Sequence, residues 1–196
     1  MSGKPQFDEQ AVIGAAVIVF WRHGFATASI NNLTDATGLS RSSIYQRFGD
    51  KDGLFLEAFQ AYKERVLNRM SSVQADTTYD HIKLLLRAFL PGKLSPGRPA
   101  GCLIARSCTE AVELSDAGRG AVMRAVTEQR EVFANILRKG VENGELRRDT
   151  DIDALAWHYF GVLQAVVNFP TAGAHESMLN RMIDVALTGL LVHKLP

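Results

Sequence analysis

Hydrogen-bonding and cationic side chains are concentrated between residues 29 and 51, at Ser29, Arg41, Ser42, Tyr45, Gln46, Arg47 and Lys51. Arginine can form a bidentate pair with guanine and glutamine with adenine, whereas serine, tyrosine and lysine suit phosphate oxygens. A polar, solvated face of a small helical subdomain would contain similar residue types. The residue types alone therefore leave two alternatives, a DNA-reading surface and a surface that only faces water.

The spacing around these residues predicts two short helices joined by a turn. Ser29 and Ser40 are of a type that caps helix N-termini, and Gly38 accepts the left-handed backbone with which many helices end. Ile44 and Phe48 lie four residues apart and form the inner face of the second helix. A helix-turn-helix with glycine in its turn can place its second helix in the DNA major groove.

The side of the second helix away from its apolar pair is polar. At 100° per residue that outward face is centred on Ser42, Ser43 and Gln46 and flanked by Tyr45 and Arg47. Lys51 lies in the first turn of the next helix, which Asp50 is placed to cap, and offers a positive charge to the backbone of DNA. Ser29 offers a hydroxyl beside free helix amides, which is a favourable seat for phosphate.

Composition indicates a globular chain without a membrane span. The 196 residues are 46% hydrophobic and 22% charged, with a net charge of only +1. No apolar run reaches the ~18 residues that a span requires, and residues 1–10 lack the order of a signal peptide. We expect a cytoplasmic protein with no membrane partner, whose affinity for nucleic acid would come from a local patch.

Hydrophobic periodicity predicts an all-α chain of about nine helices without strands. Residues 1–51 form a three-helix unit with a tail at 1–7, and residues 52–196 form a larger helical domain. The expected helices span about 8–23, 29–38, 40–48, 51–72, 79–90, 102–114, 122–143, 151–168 and 175–192. Gly24 is expected to end the first of them, and Asp116 is a possible cap for the long helix that begins near 122.

Together these residues resemble the DNA-binding domain of the tetracycline-repressor (TetR) family of bacterial regulators. The resemblance covers residues 8 to about 56 and rests on Thr27, Ile30, Leu33, Gly38-Leu39-Ser40, Ile44-Tyr45, Phe48, Lys51 and Leu54, with weaker matches at 101–103 and 140–146. Thr34 and Ser42 stand where the family often has alanine and glycine. The Thr34 hydroxyl can bond to the backbone four residues earlier, whereas Ser42 adds bulk where the helix approaches DNA.

The resemblance implies a dimeric repressor that binds a (pseudo)palindromic operator and is released by a small-molecule effector. It places phosphate contacts at Ser29, Tyr45 and Lys51, and groove contacts at Arg41, Ser42, Gln46 and Arg47. It also implies an effector-binding C-terminal domain and a homodimer through the last two helices. The alternative is a helical small-molecule-binding protein whose N-terminal unit no longer reads DNA.

The effector pocket is expected near Cys102, Trp157 and Phe160. Cys102 follows a proline-rich loop at a predicted helix start with Arg106 one turn later, and both features lower the pKa of a thiol. It either borders the pocket and reacts with electrophiles or oxidants, or serves as a small apolar filler. The aromatic residues either line the pocket or belong to the core.

Catalytic and metal-binding patterns are absent from the sequence. The five histidines are scattered without a close ligand pair, and no nucleophile elbow, phosphate loop or dinucleotide motif occurs. The two cysteines, Cys102 and Cys108, would lie ~9 Å apart on one helix, too far for a disulfide, so we expect free thiols. We predict no enzyme activity, no cofactor and no metal.

Overall fold

The computed structural model describes residues 8–93 and 98–191, so the predicted tail at 1–7 lies outside the described residues. Nine α-helices and no strand are found within that part of the chain: α1 Glu9–Thr27, α2 Ile30–Thr37, α3 Arg41–Phe48, α4 Lys51–Ser71, α5 Thr78–Ala88, α6 Leu103–Thr109, α7 Asp116–Glu142, α8 Ile152–Asn168 and α9 Glu176–Leu191. Three short 3₁₀ turns complete it, at Pro91–Lys93, Ala111–Glu113 and Phe169–Ala172. The predicted all-helical fold is confirmed.

Local capping explains the short helices α2 and α3. The Ser29 hydroxyl accepts the Asn32 N–H at 3.1 Å while the Asn32 side chain accepts the Ser29 N–H at 3.0 Å, which completes a capping box. Gly38 ends α2 at φ 71°, and the Ser40 side chain caps α3 by accepting the Ser43 N–H. The helices on both sides of the turn are therefore capped by the residues that the sequence indicated.

Three helix limits differ from prediction. Gly24 (φ 79°, ψ 172°) interrupts α1, but the chain makes a further turn as far as Thr27. The helix expected at 102–114 is shorter, since α6 ends at Thr109 and a 3₁₀ turn follows. The long helix α7 already begins at Asp116, where the Ser115 hydroxyl accepts the Gly118 N–H. Two glycines in the first turns of α7 weaken its helical signal in the sequence.

The chain packs as two compact units. Unit 1 comprises residues 8–65 and 103–124 of the described chain, and unit 2 comprises 66–93, 98–102 and 125–191. The division falls inside α4 and inside α7. The predicted boundary between residues 51 and 52 concerns function as well as packing, and it stays a prediction.

Aromatic packing holds unit 1 together beneath α2 and α3. Phe55 of α4 meets Phe20 and Phe25 of α1 edge-on, with ring centroids 5.2 and 5.1 Å apart. Leu33 and Ile44 are completely buried and attach the two short helices to this core. Edge-to-face ring pairs prefer this separation, so the rings pack α1 and α4 together beneath the helix-turn-helix.

Unit 2 is built from α5, α8, α9 and the later turns of α7 around fully buried Phe133, Tyr159 and Leu187. Arg87 of α5 donates to Asp184 of α9 at 3.0 Å. Glu145, in the connection between α7 and α8, accepts the first amide of α5 at 2.7 Å. None of the helices described is both long and apolar enough to cross a membrane.

Candidate nucleic-acid interface

The helix α3 presents a polar face to solvent because its two apolar residues point inward. Ile44 is completely buried and Phe48 nearly so, whereas Tyr45 is 48% exposed. Ser42 and Gln46 are also exposed, and the Ser42 hydroxyl lies 2.8 Å from the capping hydroxyl of Ser40. The outward face derived from helical spacing is therefore the face that the fold leaves accessible.

Arg41 is held across the turn by a residue that the sequence analysis missed. Its Nη2 donates to the Asn31 side-chain oxygen at 2.7 Å, and both side chains are exposed. The Thr34 hydroxyl bonds to the Asn31 carbonyl at 2.9 Å, three residues back rather than the four predicted. Since Arg41 uses one of its five N–H groups here, the others remain available along the same edge of the unit.

Arg47 lies at the side of α3 between two carboxylates. Its guanidinium donates to Glu57 of α4 at 3.0 Å and also forms an ion pair with Glu9 of α1. The hydrogen bond to Glu9 raises the pKa of Arg47, and the nearby charges of both glutamates add to the effect. The partners are ten and 38 residues away in sequence. No local spacing could have identified them.

Lys51 contacts the end of α1. Its ammonium donates to the carbonyls of Phe25 at 3.0 Å and Ala28 at 3.3 Å, and lies 4.3 Å from the centre of the Phe25 ring. An ammonium has three donors, so one remains for a phosphate oxygen. Ser29, the next residue after Ala28, is exposed at the start of α2, and its hydroxyl donates to the Asn32 side-chain oxygen at 2.6 Å. The fold brings these two predicted phosphate contacts to one edge.

Arg106 of α6 and Glu110, the residue after α6, contact the same end of α1. Glu110 accepts the Phe25 N–H at 2.6 Å, and Arg106 donates to the His23 carbonyl at 2.9 Å. Arg106 and Glu110 also pair with each other at 3.3 Å. A Cβ on Gly24 would overlap with the Glu110 carboxylate, so this contact requires glycine. Spacing places Arg106 one turn after Cys102 and gives no indication of these two contacts.

The predicted pocket residues lie in unit 2 with different exposures. Cys102 and Phe160 are buried, whereas Trp157 is 48% exposed. The Trp157 and Phe160 rings meet edge-on at 5.9 Å, and the guanidinium of Arg130 lies 5.3 Å from the Trp157 ring centre. Neither Cys102 nor Cys108 takes part in a disulfide in the described chain. Across those residues no cluster of three metal-ligating side chains occurs.

Buried polar side chains in unit 2 were not identified from the sequence. Tyr159 is completely buried, and its hydroxyl forms no hydrogen bond with another described group. Burial, with a smaller contribution from Tyr79, raises the pKa of Tyr159 to about 12. Gln129 is 1% exposed, and its Nε2 donates to the Ala125 carbonyl at 3.2 Å. A buried side-chain oxygen of Gln164 likewise lacks a partner among these residues.

Similarity to known proteins covers nearly the whole chain. An uncharacterised HTH-type transcriptional regulator, YezE of Bacillus subtilis (strain 168), is 26% identical over 97% of this chain and 100% of its own length. The HTH-type transcriptional repressor ComR of Escherichia coli (strain K12) is 25% identical over 96% of this chain and 90% of its own. A cysteine mutant of the TetR family regulator CifR, solved with 26 bp double-strand operator DNA, has 28% identity and a TM-score of 0.81, over 95% of this chain and 98% of that one.

Two family descriptions match consecutive parts of the sequence. Residues 12–58 match the bacterial regulatory proteins of the tetR family. Residues 79–184, more than half of the chain, match the tetracyclin repressor-like C-terminal domain. The first match contains the helix-turn-helix and Lys51, and the resemblance noted in the sequence is confirmed. The protein belongs to the TetR family of bacterial transcription regulators.

Proposed function

We propose that the protein is a ligand-responsive transcriptional repressor that binds a (pseudo)palindromic operator as a dimer and is released by a small-molecule effector. Its site of action would be the bacterial cytoplasm, where the chromosome lies. The ComR repressor and the operator complex of CifR support this function. A small-molecule-binding protein that does not read DNA is not favoured, because the polar face of α3 remains exposed here.

The observation that carries the proposal is the exposed face of α3 beside the capped start of α2. We propose that Arg41, Ser42 and Gln46 enter the major groove while Ser29, Tyr45 and Lys51 bind phosphates. The Asn31 hydrogen bond supports the Arg41 assignment because it holds the guanidinium at the edge of α3. One unused donor on Lys51 supports its phosphate contact.

Arg47 is proposed as a groove contact that contributes less to operator affinity than Arg41 does. Glu9 and Glu57 already accept hydrogen bonds from its guanidinium. DNA would compete with both glutamates for the Arg47 guanidinium, and the two negative charges would repel phosphate. Arg47→Ala should therefore weaken operator binding less than Arg41→Ala does, and it should also loosen the attachment of α3 to α1 and α4.

Apolar surface on the last two helices supports the proposed dimer. Trp157 on α8 and Met178 and Val185 on α9 are large apolar residues with 48%, 51% and 69% exposure. If they form one contiguous patch, as we propose, such a surface is typical of one that a partner covers. Paired half-sites also require two recognition helices about 34 Å apart, which one chain cannot supply.

The buried polar groups of unit 2 support an effector with hydrogen-bonding groups on an apolar body. We propose that Cys102, Trp157 and Phe160 border its pocket. The Tyr159 hydroxyl and the oxygen of Gln164 lie in the same unit without a protein partner among the described residues. A ligand that bonds to them would recover the free energy lost by burying them. Binding would shift the population of two states that differ in DNA affinity.

The test is a titration of the full-length protein against fluorescent DNA from upstream of its own coding region at several salt concentrations. Tyr45→Phe removes one hydroxyl, and we expect it to weaken binding about tenfold, as the loss of a hydrogen bond to a charged group predicts. Lys51→Ala should weaken binding and reduce the salt slope by about 0.9 per subunit.

Arg65→Ala is the matched control. It removes the same charge from an exposed position on the same helix, ~21 Å further along α4 at 1.5 Å per residue. We expect its affinity and salt slope to equal those of the unaltered protein. Equal affinity for scrambled and upstream DNA, or equal slopes for Lys51→Ala and Arg65→Ala, would refute the proposed interface.

A further inference from the structure

We infer that Glu110 is a positioning residue for the DNA phosphate contacts of Lys51 and Ser29. It acts through the backbone of residues 23–28, and this inference rests on the proposed function. Glu110 lies 85 residues from its bonding partner Phe25 in sequence, yet both belong to unit 1. It would place part of the DNA interface under the control of the segment that follows α6.

Glu110 contacts the interrupted end of α1. Its carboxylate accepts the Phe25 N–H at 2.6 Å, and the Glu110 side chain is only 19% exposed. Gly24 just before it has φ 79° and ψ 172°, so the helix has lost its own bonding pattern at this point. An amide released from a helix needs another acceptor, and a charged one forms the stronger bond.

Arg106 strengthens this contact from the same side. It donates to the His23 carbonyl at 2.9 Å and pairs with Glu110 at 3.3 Å. The carbonyl before Gly24 and the amide after it are therefore both bound by residues of one segment. The pair fixes the direction in which the chain leaves α1.

The same end of α1 also contacts Lys51, a proposed phosphate contact. The N–H of Phe25 bonds to Glu110, and its carbonyl accepts a hydrogen bond from Lys51 at 3.0 Å. Lys51 also binds the Ala28 carbonyl at 3.3 Å, immediately before Ser29. A displacement of Phe25 would remove the acceptors that orient the ammonium and would shift the start of α2.

The sequence position of Glu110 gives this arrangement a regulatory consequence. Residues 79–184 match the C-terminal family domain, and Glu110 belongs to that stretch. In the fold, however, residues 103–124 pack in unit 1 with α1 and the helix-turn-helix. A movement of α6 or of the turn after it would therefore alter the position of Lys51, because Phe25 hydrogen-bonds to both Glu110 and Lys51.

The experiment compares full-length variants on one DNA probe. The probe is a duplex with the consensus that the unaltered protein selects from random-sequence DNA, and a scrambled duplex measures non-specific binding. Glu110→Ala removes the acceptor, and Glu110→Gln keeps an oxygen acceptor without the charge. Glu113→Ala is the matched control, since Glu113 is an exposed glutamate in the adjacent 3₁₀ turn. Affinity is measured across salt concentrations, with thermal melting alongside.

We expect Glu110→Ala to weaken specific binding about tenfold and to reduce the salt slope by about 0.9 per subunit, as the loss of one phosphate contact predicts. Glu110→Gln should stay within about threefold of the unaltered protein, because its side-chain oxygen still accepts the Phe25 N–H. Combining Glu110→Ala with Lys51→Ala should weaken binding less than the two single effects added together, since both variants lose the Lys51 contact. Glu113→Ala should bind normally.

The inference is overturned if Glu110→Ala binds as the unaltered protein does, or if its effect adds fully to that of Lys51→Ala. A lower melting temperature with an unchanged salt slope would show a structural role only and would also overturn it. Glu110→Asp replaces Glu110→Ala if the latter is unfolded at the assay temperature, since it shortens the reach to Phe25. Failure of the unaltered protein to select any consensus would instead refute the proposed function itself.

Discussion

Gly24→Ala changes one hydrogen to a methyl group at the point where α1 is interrupted. Gly24 has φ 79° and ψ 172°, a combination that is almost confined to glycine. The new Cβ would also overlap with the carboxylate of Glu110, which must leave its position on the Phe25 N–H. The substitution therefore perturbs both the backbone and the contact with the segment after α6.

Two contributions determine the size of the effect. Holding alanine in this backbone region costs about 1–3 kcal/mol. Losing a partly buried hydrogen bond from an amide to a charged acceptor costs about 1.5–3 kcal/mol. Alanine also restricts the unfolded chain, which returns about 0.4–1 kcal/mol. We therefore expect unit 1 to lose roughly 2–5 kcal/mol of its free energy of unfolding.

Urea unfolding followed by the fluorescence of Trp21 measures this loss. Trp21 lies in unit 1 and Trp157 in unit 2, so the measurement uses a Trp157→Phe background in which only unit 1 reports. With a slope of about 2 kcal/mol per molar urea, the midpoint should fall by roughly 1–2.5 M. Glu110→Ala should cause a smaller fall, because it removes the hydrogen bond without straining the backbone.

Gly14→Ala is the internal control for the same substitution in the same helix. A Cβ on Gly14 meets nothing within 4 Å, and the residue is helical. We expect it to stabilise unit 1 by about 0.5–1 kcal/mol, the usual gain from replacing a mid-helix glycine. A loss below about 1 kcal/mol for Gly24→Ala, or equal effects of the two variants, would refute the reasoning from φ and from the Glu110 contact.

Two further predictions concern unit 2. Burial lowers the pKa of His81, with a smaller lowering by Lys139 and an opposing bond to the Val73 backbone. The folded state therefore binds fewer protons, and stability should fall as pH drops below about 6.5. Urea unfolding at pH 7.5 and 5.5 should show a larger loss for the unaltered protein than for His81→Gln. Tyr159→Phe should raise the free energy of unfolding by about 1–2 kcal/mol, and with it the urea midpoint. The substitution removes a buried hydroxyl that has no protein partner among the described residues. A lowered midpoint would contradict this explanation.

The helix-turn-helix was predictable because each of its signals is local. Ser29, Gly38 and Ser40 act on amides and carbonyls within four residues, so their roles can be read from spacing. The inward direction of Ile44 and Phe48 follows from the period of the helix in the same way. The limits of α6 and α7 were less predictable, since short turns and glycines leave the local preferences for helix and for turn almost equal.

The partners of the candidate site were not predictable because they are distant in sequence. Glu9 and Glu110 lie 38 and 85 residues from the groups that they bind, and a carboxylate has no local preference for one distant partner over another. The Tyr159 hydroxyl, which has no partner among the described residues, likewise depends on its surroundings in the fold.

Local sequence therefore accounts for which residues α3 presents and where its helix begins and ends. Packing accounts for what holds those residues in place: Lys51 on the end of α1, Arg47 between two glutamates, and Glu110 on Phe25. The reason is physical. Capping and helical period act over one turn of chain, whereas a hydrogen bond between segments depends on the distance and direction that the buried core imposes.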